Sequence, residues 1–510
     1  MKKIVLSILT LVLCSIIYAQ EPADVLRLGF TTGNGGTARN QAIGGAGASL
    51  GGEFSSLFIN PAGLGFYKTG DFVITPGYSI KNNKATYLGN LEQTPHNSFN
   101  LGASGVVFSS PTRSQSIRNI TVGLGVTKTA DFNNDIYYKG LNRSSSYSEK
   151  YIQELKNANV TDPDVVGKGF PETSSLAFNT FLIDPIFSGP DSTITGYKSV
   201  VNPALGINQE NRITTTGGIT DLSLGVGVNV EDKLYFGGSL SLPVVTYDRS
   251  ATYRESNASV DSKGDFNYFT SSELLNTKGM GINGKLGVIY KPVESIRFGL
   301  AVHTPTFYQL TDNWQTRLET GLKSFGNKQF MYQNSTDLVD NPLETRYNVT
   351  TPWKIMASGT YMFNQAPDVK VQGGFVTGDI EYVNYRSMSI HDGDNNADSK
   401  NYYSQLNDVI KNMYKDAVNV RLGGEVKFNT LMVRLGGAYY GNPYKNEDAN
   451  VIKVSGGIGY RNKGMFIDLT YVQSMTKDVH YPYRLQGTAN TPAFLKNNGS
   501  NIMATIGFKI

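Results

Sequence analysis

Only one cysteine, Cys14, occurs in the 510 residues, and there are two tryptophans and four histidines. A lone cysteine excludes a disulfide framework and a cysteine-ligated metal centre. The histidines (His96, His303, His391, His480) are scattered, with no two at ligand spacing, so no metal site is expected. Net charge is low as well. A balance of +4 with no basic stripe argues against nucleic acid as a partner. Long apolar runs are missing after residue 19, which excludes the roughly 20-residue span of a membrane helix.

The first residues read as an export signal. Lys2 and Lys3 precede the apolar run Ile4–Ile17, and Ala19 places a small residue at a cleavage position, so the mature chain is expected to begin at Gln20. Leu13 stands where a lipoprotein signal around Cys14 wants a small residue, which disfavours lipidation. What is abundant is glycine (55), tyrosine (30) and phenylalanine (25). That mixture suits a sheet whose strands are apolar on one face only.

Period-two alternation carries the fold reading. Val418, Val420, Leu422, Gly424, Val426 and Phe428 alternate with Asn419, Arg421, Gly423, Glu425 and Lys427. After a two-residue turn, Leu431, Val433, Leu435, Gly437 and Tyr439 oppose Arg434 and Gly436. Such segments fall at 71–82, 97–110, 117–131, 217–230, 233–250, 277–291, 294–310, 350–364, 367–386, 415–428, 430–441, 451–461, 464–476 and 501–510. Fourteen strands is an even number, as bacterial outer-membrane barrels have.

The connections sharpen this. Tight ones such as Glu231-Asp232-Lys233 and Pro292-Val293-Glu294 alternate with long ones at 132–216, 251–276 and 311–349. Short periplasmic turns and long external loops mark an outer-membrane barrel. In hydrocarbon every backbone polar group must pair, so a sheet spans only by closing on itself. The apolar faces then point at lipid, and Arg421, Glu425, Arg434, Lys453 and Asp468 point inward. A charge facing mid-membrane lipid would cost about 2–4 kcal/mol. The expected fold is therefore all-β, a transmembrane antiparallel barrel of about 14 strands. Its domains are a signal peptide (1–19), an N-terminal plug (20–70) and the barrel (71–510).

The plug segment does not read as strand. The small-residue run Ala42-Ile43-Gly44-Gly45-Ala46-Gly47-Ala48-Ser49-Leu50-Gly51-Gly52 allows close backbone packing. It leads into Phe54-Ser55-Ser56-Leu57-Phe58-Ile59-Asn60-Pro61-Ala62-Gly63-Leu64. By itself Asn60-Pro61-Ala62 also fits an ordinary Asx-type turn. In its place before the first strand, however, the motif resembles that of the FadL/TodX family of outer-membrane transporters for hydrophobic compounds. Gly279–Pro292, Arg297-Phe298-Gly299-Leu300 and Leu435–Pro443 are similar to further stretches of that family. The resemblance implies a 14-stranded barrel with a lumenal hatch (Asn60, Pro61, Ala62, Gly63), and passive uptake of fatty acids or aromatic hydrocarbons gated by that hatch. Departures from the family are Tyr414-Lys415-Asp416 where Trp-x-Asp is usual, Ile510 rather than a terminal aromatic, and the long 132–216 insertion.

In such a transporter an external apolar groove would capture substrate first. Leu176–Phe187 is an apolar stretch inside a polar loop, and Phe178, Phe181, Leu182 and Phe187 are the candidates. The same residues would equally form the loop's own small core. Leu406, Val409, Ile410, Met413 and Ala417 have the spacing of a capping helix. A fatty-acid carboxylate needs a buried cation, and the inward candidates are Lys285, Arg297, Arg421 and Arg434.

Motifs of other chemistries do not hold together. Gly33–Ala38 matches a dinucleotide fingerprint, but no strand precedes it. Asp392, Asp394, Asn396 and Asp398 resemble a calcium loop, with Ala397 at the turn glycine and Tyr403 at the closing glutamate. No Gly-x-Ser-x-Gly elbow or nucleophile–base pattern is present, so no enzyme activity and no cofactor are expected. The expected partners are a hydrophobic small molecule and membrane lipid. The competing reading is an outer-membrane secretion or assembly partner docking through its external loops.

Overall fold

The structure, a computed structural model, describes residues 22–33, 35–190, 192–258, 264–325, 330–339, 341–363, 373–394, 397–446 and 449–510. The signal-peptide reading of 1–19 and the cleavage at Gln20 lie outside these residues, as do Asn34 and Asn396 of the two rejected motifs.

Fourteen antiparallel strands close into one barrel. They are β1 (Asp71–Ile74, Pro76–Tyr87), β2 (Asn90–Leu101, Ser104–Pro111), β3 (Ile117–Asp131, Asn134–Asn142), β4 (Ile207–Val230), β5 (Leu234–Asn257), β6 (Phe266–Val293) and β7 (Ile296–His303, Phe307–Leu322). The circuit continues with β8 (Leu343–Thr350, Lys354–Phe363), β9 (Gly374–Val383, Ser389–Asp392), β10 (Ala417–Phe428), β11 (Leu431–Tyr440), β12 (Val451–Asn462), β13 (Met465–His480) and β14 (Ala493–Lys509). β14 returns to β1 with Phe72 opposite Phe508 and Gly77 opposite Met503, so the ring has no free edge there. The junction is completed by Gly70 and Ile510, whose N–H and C=O groups exchange two hydrogen bonds of 3.0 Å.

The alternation seen in sequence is the wall of this barrel. Leu124, Leu224, Leu240, Leu286, Phe298, Val376, Leu422, Leu435, Val454, Leu469 and Ile506 all point outward and are exposed. A belt of that size exposed to water would be anomalous in a soluble protein, and it is what lipid contact requires. No described helix is long and apolar enough to cross a membrane. The strands cross instead.

Every predicted strand is present, but many run further than expected at the external end. β4 begins at Ile207 and β3 reaches Asn142, so the loop expected at 132–216 contracts to 143–206. The loops expected at 251–276 and 311–349 are likewise mostly strand, in β5, β6, β7 and β8. Above the lipid both faces of a strand meet water or polar neighbours, so the one-sided apolar pattern fades although the ladder continues. The connection between β8 and β9, expected to be a tight turn at 365–366, lies outside the described residues.

The remaining external loop is a small capsule. It holds α4 (Ser148–Asn157), α5 (Pro163–Lys168), α6 (Ser174–Asn179) and a hairpin, Ile183–Ser188 with Thr193–Ser199. Its core (Tyr151, Leu155, Phe170, Leu176, Leu182) continues into Tyr253, Phe269 and Leu318 of the barrel and Tyr483 of the last external loop.

One interval of the wall departs from the ladder pattern. The upper part of β2 (Asn90–Leu101) pairs only with β1, and the upper part of β3 (Asn134–Asn142) only with β4. Side chains of β1 and β2 reach across the seam to β3. Asn83 donates to Asp135 O (2.6 Å), Lys81 to Asn133 O (2.6 Å) and Thr94 to Asp135 O (3.0 Å).

Candidate ligand path through the barrel

The lumen is crossed by the N-terminal segment: α1 (Pro22–Gly29), α2 (Ala38–Ala42), α3 (Ser56–Ile59) and a 3-10 turn at Pro61–Phe66. Thr37 caps α2 by accepting from Asn40 N. Asn60 makes the Asx-type turn, its Oδ1 accepting from Ala62 N (3.1 Å), while its Nδ2 donates to Ala48 O (2.6 Å). The turn and the hatch are thus one feature, with Asn60, Pro61, Ala62 and Gly63 all buried.

Backbone approach explains the glycine content on both sides. Gly237 of β5 faces Pro61 and Ala62, Gly287 of β6 faces Asn60, Gly299 of β7 faces Ala48, and Gly436 of β11 faces Ile43 and Gly44. A Cβ at any of these four would sit inside the 3.0 Å that real contacts respect. Gly44 also has φ +72°, a conformation that disfavours side chains.

Polar contacts fix the hatch to the wall. Arg39 reaches Glu425 through two hydrogen bonds of 3.0 Å, and Glu425 also accepts from Arg434, which pairs in turn with Asp468 (2.6 Å). Gly47 N donates to Asp379 (2.9 Å), and Ser49 meets Thr360 (2.7 Å). His303 Nε2 lies 2.7 Å from Ile59 O, and Phe66 stacks on Tyr235 at 3.7 Å. Within the hatch, the Glu53 carboxylate accepts from Thr37 and from Ser55 N (2.9 Å).

An apolar chamber and a charged cavity lie against this plug. The first, on the external side, is apolar and full. Val25, Leu26 and Leu28 of α1 pack among Ile219, Val245, Tyr308, Leu310, Tyr347, Val349, Tyr385 and Met388 of the wall. Over them lies α7 (Ala397–Met413), contributing Tyr403, Leu406 and Ile410, with Tyr414 donating to Pro22 O (3.0 Å). Of the expected capping-helix residues, Leu406 and Ile410 face this chamber, Val409 is exposed and Ala417 begins β10. Arg27 pairs with Asp24 (2.8 Å) and covers the Tyr247 ring at 3.7 Å.

The second is a cavity of about 170 Å³ between hatch and wall, whose lining mixes apolar surface with charged groups. Asp221, Lys285, His303, Lys354, Glu381 and Arg421 line it. Of the four cations expected to hold a carboxylate, Lys285 and Arg421 meet here. Lys285 donates to Ser241 (2.6 Å) and Arg421 pairs with Glu381 (2.9 Å). The other two lie apart. Arg297 donates to Leu50 O and covers the Phe66 ring at 4.5 Å, and Arg434 is enclosed in its ion pairs. Sequence reasoning missed Lys354, which donates to Thr31 (2.9 Å) of the hatch. Its signal was available, since it continues the inward face of β8 with Met356, but it opens the second segment of that strand, just after the break at 351–353.

At the external surface the four expected groove residues separate. Leu182 is fully buried, Phe178 packs edge-on against Tyr197 at 5.7 Å, and only Phe181 and Phe187 are exposed. Beneath the capsule, buried Glu255 accepts from Tyr147 N (2.8 Å), Tyr253 (2.8 Å), Gln209 (2.9 Å) and Ser146. Burial pushes its carboxyl up to about 7. Among the described residues no cluster of metal-ligating side chains occurs.

No family model matches the sequence, and no curated protein is similar to it. Solved structures are. A FadL homologue of Pseudomonas aeruginosa superposes with a TM-score of 0.54 at 12% identity, covering 94% of this chain and 99% of that one. The toluene transporter TodX of P. putida superposes with a TM-score of 0.51 at 14% identity, with the same coverages. The chain therefore has the FadL/TodX barrel fold, the fold of outer-membrane proteins, from the hatch to the last strand.

Proposed function

We propose that this barrel carries hydrophobic small molecules, long-chain fatty acids or aromatic hydrocarbons, passively across the outer membrane. One observation carries the reading. The apolar chamber beneath α7 is filled by the chain's own α1, an amphipathic segment whose first residue, Pro22, accepts a hydrogen bond from Tyr414. Burial of Val25, Leu26 and Leu28 shows the chamber accepts an apolar body, and a ligand of the same character competes for it. Capture falls to the exposed Phe181 and Phe187, entry to the rim of α7, and gating to displacement of α1 from its seat. Lys285, Lys354 and Arg421 then receive any polar end of the cargo. Exit runs through the seam between β2 and β3, where side chains stand in for a backbone ladder. The fold of a FadL homologue and of a toluene transporter supports this reading, and it assigns no catalytic step.

The test is ligand competition on the purified barrel. Native mass spectrometry should find a co-purifying hydrophobic compound, and Leu26→Glu with Val25→Glu should change its occupancy several-fold. An empty lumen that takes up neither fatty acid nor toluene, together with a stable protein partner on the capsule, would refute transport in favour of an assembly role.

A further inference from the structure

The register of the wall brings together three lysines that sequence leaves far apart. Lys84 of β1 pairs with Lys496 of β14, and Lys496 pairs with Lys477 of β13. All three occupy the outward positions of their strands. Below them on the same face run Asn82, Asn498 and Met475, then Ile80, Ser500 and Gln473, then Tyr78, Ile502 and Tyr471. Neighbouring strands lie about 4.8 Å apart, so three ammonium stems share a row about 10 Å wide. Like charges directly opposite each other in a sheet are destabilising.

Among the described residues nothing acidic on that face offsets them. None of the three makes a described ion pair or side-chain hydrogen bond, and Glu92 and Asp478 fall on inward positions, Glu92 pairing with Lys139 (3.2 Å). Such a row is costly unless an anion sits across it.

Its height identifies the anion. Lys84 lies twelve residues along β1 from Phe72, and Lys496 twelve along β14 from Phe508, the paired aromatics at the periplasmic end. At about 3.3 Å per residue and a tilt of about 40°, that is about 30 Å along the membrane normal, just above an apolar belt of about 25 Å. The exposed tyrosines Tyr471 and, in part, Tyr78 mark the belt's upper edge below the row.

We propose that Lys84, Lys477 and Lys496 form a binding site for the phosphate-bearing headgroup of an outer-leaflet lipid, whose acyl chains lie along Ile80, Ile502 and Tyr471. The lipid neutralises a row that otherwise repels itself, and it fixes the barrel's depth beside the β2–β3 seam. The inference does not depend on what passes through the lumen.

The test is native mass spectrometry of the full barrel in non-ionic detergent, titrated with diphosphoryl lipid A, with dephosphorylated lipid A and with inorganic phosphate. The wild type should retain the phosphorylated lipid, with affinity falling steeply as salt rises. K84Q/K477Q/K496Q should bind it about 100-fold more weakly, about five-fold per lysine. K233Q, at a periplasmic turn, should bind as the wild type does, and unchanged heat-modifiable migration of all variants shows that the barrels are folded. Equal affinity of the triple variant and the wild type would overturn the proposal. So would equal binding of the dephosphorylated lipid, or inorganic phosphate binding as tightly as the lipid.

Discussion

Replacing Gly237 and Gly436 by alanine should unseat the hatch without touching a hatch residue. Each added Cβ meets backbone, Pro61 and Ala62 at one site and Ile43 and Gly44 at the other, so no side chain can rotate away. Overpacking of this kind costs about 1–3 kcal/mol per site. The two glycines lie on different strands and touch different hatch segments, so their effects should add to about 2–6 kcal/mol. At about 1.4 kcal/mol per decade, the ratio of seated to unseated hatch falls about 30-fold to about 10⁴-fold. The assay is single-channel conductance in planar bilayers, with G359A as control because nothing lies within 4 Å of a Cβ there. Wild type and G359A should open rarely, and the double variant should show frequent or sustained openings. If the double variant stays as closed as G359A, the glycine contacts do not hold the hatch and the reasoning fails.

Arg39→Met removes the hatch partner of Glu425 but leaves Arg434 beside that carboxylate. The cost should fall below the about 3–5 kcal/mol of a fully orphaned buried charge, and trypsin should reach the hatch faster than in the wild type, a gain absent if the pair is incidental. The capsule should be pH-sensitive through Glu255. Its carboxyl is raised from 4.5 to about 7, so the stability it lends is fully present below pH 4.5 and is lost as pH rises through about 7. That difference is on the order of 3 kcal/mol. Proteolysis of 143–206 should accelerate across pH 4.5–7 in the wild type and hardly at all in E255Q; protection that grows with pH would contradict the assignment. Phe181→Ser with Phe187→Ser should slow uptake of a hydrophobic probe several-fold at low concentration while leaving thermal unfolding within about 0.5 kcal/mol, as exposed positions do. Unchanged uptake would remove the capsule from the capture step.

The lipid-facing wall was readable in sequence because lipid enforces alternation. Val418 to Phe428 has no freedom to break period two without placing Arg421 or Glu425 in hydrocarbon. The strand extensions at 207–216 and 251–257 lie above that constraint, and residues such as Asn211, Thr214 and Arg254 carry no one-sided signal. The hatch motif was legible, but its counterpart was not: Gly237, Gly287, Gly299 and Gly436 read as ordinary strand glycines until the plug is placed against them. Leu176–Phe187 shows the limit of hydrophobicity as a guide to binding, since it supplies both the buried Leu182 and the exposed Phe187. Lys84, Lys477 and Lys496 meet only through register, which no local pattern encodes.

The double hydrogen bond between Gly70 and Ile510 ties the end of the plug to the final residue of the chain. Residue 70 belongs at once to the plug's tail and to the rung that closes the ring, so no slack separates the two. Closing the ring pairs strands far apart in sequence, a contact of high order that forms slowly. A pull on the plug's tail is transmitted directly to that closing rung.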